Sequence, residues 1–355
     1  MSKEMMKAVT VYGPLDARVE VVPKPAATGD MIVIKVCRTG VCATDTSIYT
    51  GDSSFIRSGE IVYPCRFGHE YAGVVEAVGP NVKNFKVGDR VYTDNFVTCG
   101  VCPACQKGDD VMACENIRSL GTVNCWDGCY AEYMQMPERH VFHLPNTLSM
   151  DEGALIEPAS ISYDCFRGVT LTKKDTAVIY GTGAIGMVAV WLAKYYGAGR
   201  VILVGRTDEK LAVGLQVGAD YVINNKKEDA VAKIKELSLS GKGASFVVET
   251  SGSPQALKDC MACAARYARI SVASFYERNL DDMPIDPLVL GCFTMVGAAG
   301  RYGNAPEVCA IMEKNPVKLT PVVTHHVPFS NVLDVFQNAE AYNKTKIKVM
   351  ITFDE

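Results

Sequence analysis

Residues 177–186 read AVIYGTGAIG. Ala177–Tyr180 is a short apolar, β-branched run, and Ile185–Tyr196 continues as an amphipathic stretch, so the segment is expected to fold as strand, turn and helix. Gly181, Gly183 and Gly186 occupy the G-x-G-x-x-G spacing at that turn. Gly181 would allow the tight turn, Gly183 the close approach of a pyrophosphate to the backbone, and Gly186 the packing of helix on strand. Thr182, Ala184 and Ile185 complete the loop, and the helix start offers free N–H groups and a positive dipole end to phosphates. A ligand-free glycine turn has the same spacing. The strand before it and the helix after it are what favour a dinucleotide.

The same rhythm extends outward. Strand-like runs at Val201–Val204, Tyr221–Ile223, Phe246–Glu249 and Arg269–Ala273 alternate with helical stretches at Glu209–Val217, Lys227–Leu239 and Gln255–Ala265. Phe293–Val296 offers a sixth strand. Such alternation predicts an α/β fold with a doubly wound parallel sheet. An acid about 20 residues beyond the glycines would hold the ribose 2′-hydroxyl of NAD. Gly205 stands there instead, followed by Arg206, Thr207 and Lys210, which suit a 2′-phosphate. NADP(H) is therefore expected over NAD(H). Asp208 lies three residues too late to replace the acid.

Before residue 155 the chain reads mostly as β, with runs at Ile32–Cys37 and Tyr71–Val78 bounded by turns at Gly79-Pro80 and Gly88-Asp89. After residue 300 come a helix (Ala305–Lys314), a strand (Val322–Val327), a helix (Asn331–Tyr342) and a last strand (Ile347–Phe353) expected to pair back with the first domain. The expected layout is a cofactor domain at 159–299 inserted into a catalytic domain made of 1–158 and 300–355. A formal net charge of −4 without a basic patch or tail argues against nucleic-acid or acidic-membrane partners. The uncharged window Thr176–Ala193 is long enough to span a bilayer, but its glycines divide it into strand and helix. Fourteen cysteines, with no apolar leader in MSKEMMKAVT, point to a reducing compartment.

Cys99, Cys102, Cys105 and Cys114 follow C-x2-C-x2-C-x8-C, within a lobe at about 95–118. Four thiolates at that spacing can enclose one zinc tetrahedrally and leave no open position, as in a structural site. The neighbours Gln106, Lys107, Asp109 and Asp110 are no basic stripe, which excludes a nucleic-acid ribbon. Cys42 (GVCATD, 40–45), His69 and Glu70 (GHEYAG, 68–73) and Glu157 (EPAS, 157–160) would give a mixed sulfur, nitrogen and oxygen set. Such a set leaves a position for substrate, as a catalytic zinc requires. Either glutamate could complete it.

The order of these motifs resembles the zinc-dependent medium-chain dehydrogenase/reductase superfamily over essentially the whole chain, and EPAS resembles its sorbitol dehydrogenase branch. The resemblance implies a GroES-like catalytic domain, a Rossmann domain and an active site in the cleft between them. It implies two zinc ions per chain, a small alcohol or ketone substrate, a cytoplasmic setting and a homodimer or homotetramer. It assigns Thr44 to the substrate oxygen and proton relay, and Asp45 to orienting His69. Many members carry a histidine five residues after the zinc cysteine; here Ser47 stands there, so the relay must use Ser47, or cofactor ribose and water. The four-cysteine lobe has one residue more before its last cysteine than is common. Tyr49, Phe55 and Arg301 are expected on the substrate wall by the same analogy. A polar pocket with two acids favours a polyol, sugar or cyclitol. Threonine- or glucose-dehydrogenase-like activity on the same fold, and an NADPH-binding redox sensor without catalysis, are the alternatives.

Overall fold

The computed structural model describes residues 4–108, 111–300, 303–342 and 344–353. The chain opens with the hairpin Met5–Gly13 (β1) and Asp16–Pro23 (β2). Met31–Gly40 (β3), Glu70–Val78 (β4) and Arg90–Thr93 (β5) form an antiparallel meander. A two-stranded ribbon, Phe96–Val97 (β6) and Arg118–Ser119 (β7), then closes the base of the loop that carries the four clustered cysteines. Tyr133–Pro137 (β8) returns to β3 and Val141–His143 (β9) to β5.

The chain then builds a second sheet from Thr176–Tyr180 (β10), Arg200–Gly205 (β11), Tyr221–Asn224 (β12), Ala244–Glu249 (β13), Ala264–Val272 (β14) and Thr294–Gly297 (β15). Their order is β12-β11-β10-β13-β14-β15, and every neighbouring pair is parallel. β10 is buried throughout, which is why its sequence is a continuous apolar run rather than an alternating one. Strand order reverses between β10 and β13, so the crevice for a ligand opens at their carboxyl ends. Gly181 follows the first of these and Thr250 the second.

Val323–Pro328 (β16) and Lys348–Thr352 (β17) rejoin the first sheet, β17 pairing antiparallel with β3 at Met350↔Gly40. The last strand thus pairs back as its sequence led us to expect. Helix Ile156–Asp164 is wedged between the sheets. One apolar core runs from Ala72 and Leu144 of the first through Leu155 and Ala159 to Ile179 and Trp191 of the second. No helix among the described residues is long and apolar enough to cross a membrane.

Three expected helices differ by two residues or more at an end or break in two. The stretch expected as one helix to Ala265 ends at Cys263, because Ala264 is already extended and pairs with Ala244. Lys227–Leu239 shortens to Ala230–Leu237, started by Asp229, whose carboxylate caps the Ala232 N–H at 3.0 Å. The expected helix Asn331–Tyr342 breaks into Asp334–Gln337 and Ala339–Tyr342 at Asn338, whose amide turns back to Asp334.

Candidate active site

Two distant pieces of sequence meet through register. Glu70, the first residue of β4, pairs with Gly40, the last of β3, and Cys42 follows two residues later as the cap of helix Ala43–Thr50. Donor atoms of Cys42, His69 and Glu70 all lie within 4.8 Å of one another. Asp45, fully buried in the helix's first turn, fixes the arrangement. Its Oδ2 accepts from the Cys42 N–H (3.0 Å) and the Tyr130 hydroxyl (2.8 Å), while its Oδ1 lies 3.4 Å from His69 Nδ1. Burial depresses the His69 pKa, but Asp45 and the Cys42 sulfur outweigh it and hold it well above the ordinary value. Partners that hold a proton so firmly on a buried ring also suit a divalent cation, and a mixed donor set of this kind could hold a zinc with an open position.

Glu70 is 1% exposed and Lys348 of β17 is 4% exposed. The lysine Nζ donates to both carboxylate oxygens, at 2.7 and 2.6 Å, and to the Val41 carbonyl at 3.0 Å. Burial pulls the Lys348 pKa down, but Glu70 and Cys42 raise it on balance. Gly40 makes room for this pair: a Cβ there would lie 2.1 Å from Glu70 Oε2.

Glu157, in the first turn of its helix, is not part of the close donor group; its Oε1 accepts from Asn95 Nδ2. Burial pushes its carboxyl up to about 7, His69 opposing and Glu70 assisting. Thr44 is half-buried on the first turn after Cys42, and the Ser47 hydroxyl is turned back onto the Thr44 carbonyl at 3.0 Å. Tyr49 is buried in the core beside Phe336, and Phe55 packs edge-on against Phe275 of the neighbouring unit. Arg301 lies outside the described residues.

The four lobe cysteines form a second donor group within 4.8 Å. Cys102 and Cys105 sulfurs are 3.4 Å apart, and those of Cys99 and Cys105 3.9 Å. Thiolates about 2.3 Å from a tetrahedral zinc stand roughly 3.8 Å from each other, so this spacing fits that ion. Backbone N–H groups point at the sulfurs, including Cys99 N–H to Cys114 and Cys102 N–H to Cys99, both at 3.4 Å. Donation from Val101 and Cys102 lowers the Cys99 thiol to about 6, which favours the ligand form.

At the glycine loop, Gly181 has φ +114°, and a Cβ there would lie 2.4 Å from Thr250 Oγ1. A Cβ at Gly186 would lie 2.0 Å from the Gly181 carbonyl oxygen, whereas Gly183 faces open space. Two glycines are therefore needed for packing, and the one at the cap of helix Ala184–Tyr195 leaves its backbone approachable. At Gly205 a Cβ would lie 2.3 Å from the Thr182 methyl, so an acid at that position would have to displace Thr182. Thr207 occupies the N-cap position of helix Asp208–Gln216 without a side-chain capping bond, and Asp208 is occupied with Asn224 (2.7 Å) and Lys227. Burial and then Arg206 lower the Lys210 pKa. Lys346 is lowered by burial, Lys210 and Lys348.

The alcohol dehydrogenase GroES-like domain family matches residues 28–146, and the zinc-binding dehydrogenase family matches 184–314. Sorbitol dehydrogenase of Bacillus subtilis strain 168 is 31% identical over 98% of this chain and 97% of its own. L-threonine 3-dehydrogenase of the same strain is 32% identical over 92% of each. The chain belongs to the zinc-dependent medium-chain alcohol dehydrogenase superfamily. Among solved structures, 2R,3R-butanediol dehydrogenase of Bacillus subtilis superposes with a TM-score of 0.84 at 26% identity, covering 98% of this chain and 99% of that one. A protein of Sinorhizobium meliloti 1021, described as a zinc-binding dehydrogenase and solved bound to NADP, gives 0.88 at 25%, covering 99% and 100%.

In this dehydrogenase, sequence reasoning missed Lys348, Lys346, Asn95 and Asp94. Lys348 had a signal: a lysine within the apolar run IKVMITF of an inner strand requires a buried partner. Asp94 and Asn95 had none, since two polar residues in a loop are ordinary.

Lys348→Met leaves Glu70 buried without its counter-charge, and is expected to cost about 3–5 kcal/mol. The double variant Lys348→Met/Glu70→Leu should recover most of it, read from urea unfolding midpoints. Burial raises the Asp94 carboxyl to about 6, against backbone donation from Gly303. Its contribution is therefore full below the unfolded value of 3.8 and is lost as pH rises through about 6. Asp94→Asn should be more stable than the parent at pH 7.5, by on the order of 2–3 kcal/mol, with the difference closing below pH 4 in thermal melts.

Proposed function

We propose that this chain is an NADP(H)-linked, zinc-dependent oxidoreductase of secondary alcohols and their ketones, with polyols, sugars or cyclitols as its substrate class. The observation that carries the reading is the convergence of Cys42, His69 and Glu70 donor atoms within 4.8 Å, oriented by the buried Asp45. In this reading those three hold a catalytic zinc and Glu157 stands beside its open position. Cys99, Cys102, Cys105 and Cys114 hold a second, structural zinc. Bound zinc would polarise the alcohol oxygen, and bound nicotinamide would exchange the hydride. Thr44 is the hydroxyl offered to the substrate oxygen. Ser47, already bonded to the Thr44 carbonyl, leaves the onward proton path to cofactor ribose and water.

Residues 1–158 and 300–355 act as the catalytic unit, with the lobe at about 95–118, and 159–299 as the cofactor unit. NADP(H) is favoured by three cations, Arg206, Lys210 and Lys346, none of which has a carboxylate partner among the described residues. A phosphate monoester relieves that crowding, and Gly205 leaves no acid to repel it. Thr207 adds a hydroxyl donor beside it. Fourteen cysteines without a disulfide suit the reducing cytoplasm. Val289 and Leu290, exposed just ahead of edge strand β15, support a homodimer or homotetramer.

The test is a substrate panel of polyols, ketoses, 2,3-butanediol and L-threonine with each cofactor. NADPH is expected to exceed NADH in kcat/KM by about tenfold or more, and Arg206→Ile to cut that ratio about tenfold. Dialysis against a chelator should abolish turnover, and zinc should restore it. A parent preference for NADH, or undiminished activity after demetallation, would contradict the reading.

A further inference from the structure

Beside Glu157 runs a narrow cleft of about 40 Å³. One wall is Thr93–Phe96, a second is the helix face with Glu157, Ser160 and Ile161, and the third is Ala299, Gly300 and Ala305. Asn95 stands on the first wall and its Nδ2 donates to Glu157 Oε1. With Nδ2 turned to the glutamate, Oδ1 lies on the side away from Glu157. That Oδ1 is buried, and no described residue donates to it. Buried acceptors without donors are uncommon and costly, and those that persist call for an explanation outside the resting chain. An acceptor left open on a residue of the cleft wall is matched by a hydroxyl, which can donate to it.

We propose that Asn95 reads a second hydroxyl of the substrate, close to the reacting carbon, and thereby selects hydroxylated alcohols over monohydric ones. Its two ends have separate tasks: Nδ2 steadies Glu157 beside the metal donors, and Oδ1 receives the substrate hydroxyl. The inference rests on the reading of this chain as an alcohol oxidoreductase and adds the residue that discriminates among alcohols.

The experiment compares kcat/KM on 2,3-butanediol and on 2-butanol, both assayed on one preparation, so that their ratio does not depend on the fraction of folded, zinc-loaded protein. Asn95→Leu removes both ends of the amide and is expected to lower the diol-to-monohydric ratio about tenfold or more. Asn95→Asp loses the donor to Glu157 and keeps an oxygen acceptor. It should lower activity on both alcohols while retaining the diol preference. Equal losses on both alcohols in Asn95→Leu, or loss of the preference in Asn95→Asp, would overturn the assignment. A parent without turnover on any alcohol in the panel would instead defeat the functional reading on which it rests.

Discussion

A lysine from the last strand and a glutamate from the fourth share one buried pocket, and the site is arranged around that pair. Neither charge can leave water cheaply, and each is tolerated because the other satisfies it: both Glu70 oxygens face Lys348, and the remaining lysine contact goes to the Val41 carbonyl. The pairing has consequences along the chain. Glu70 is fixed, so His69 before it is fixed. Val41 is engaged, so Cys42 after it is held at the helix cap. Gly40 must lack a side chain, because the carboxylate occupies the space a Cβ would take. The strand carrying Lys348 follows the whole parallel sheet in sequence and returns to pair with β3, which is why the terminal segment cannot be read as an appendage.

The glycine loop rests on a different constraint, steric rather than electrostatic. Gly181 and Gly186 are required by neighbours already in contact, Thr250 and the Gly181 carbonyl, while Gly183 is bounded by open space. Two glycines let strand and helix close on each other, and the third leaves the backbone bare where a phosphate could approach. Similar crowding occurs at Gly205, where a Cβ would meet the Thr182 methyl. Helix Ile156–Asp164 joins the two units, since it packs into the common core and carries Glu157 on its first turn.

Much of this was legible in the sequence because it is encoded locally. Parallel strands buried on both faces leave continuous apolar runs, and the glycine and cysteine spacings are set by chemistry within a few residues of each other. Helix ends were less legible where a side chain competes with the backbone, as Asn338 does, or where a strand partner captures the next residue, as Ala244 captures Ala264. Candidate ligands Cys42, His69 and Glu70 could be named, but their separation from Glu157 could not, because it depends on Asn95 taking one glutamate and Lys348 the other. Contacts between residues 62 and 278 positions apart leave no periodicity to read.

In the proposed site the Lys348-held glutamate completes a metal centre with Cys42 and His69. Anomalous diffraction from crystals of the zinc-loaded protein, measured on both sides of the zinc absorption edge, tests it most directly. The expected map has two peaks per chain, one among the four lobe cysteines and one touching Cys42 Sγ, His69 and a Glu70 oxygen. A peak confined to the cysteine lobe, or a second peak bound without Cys42 and His69, would contradict the account.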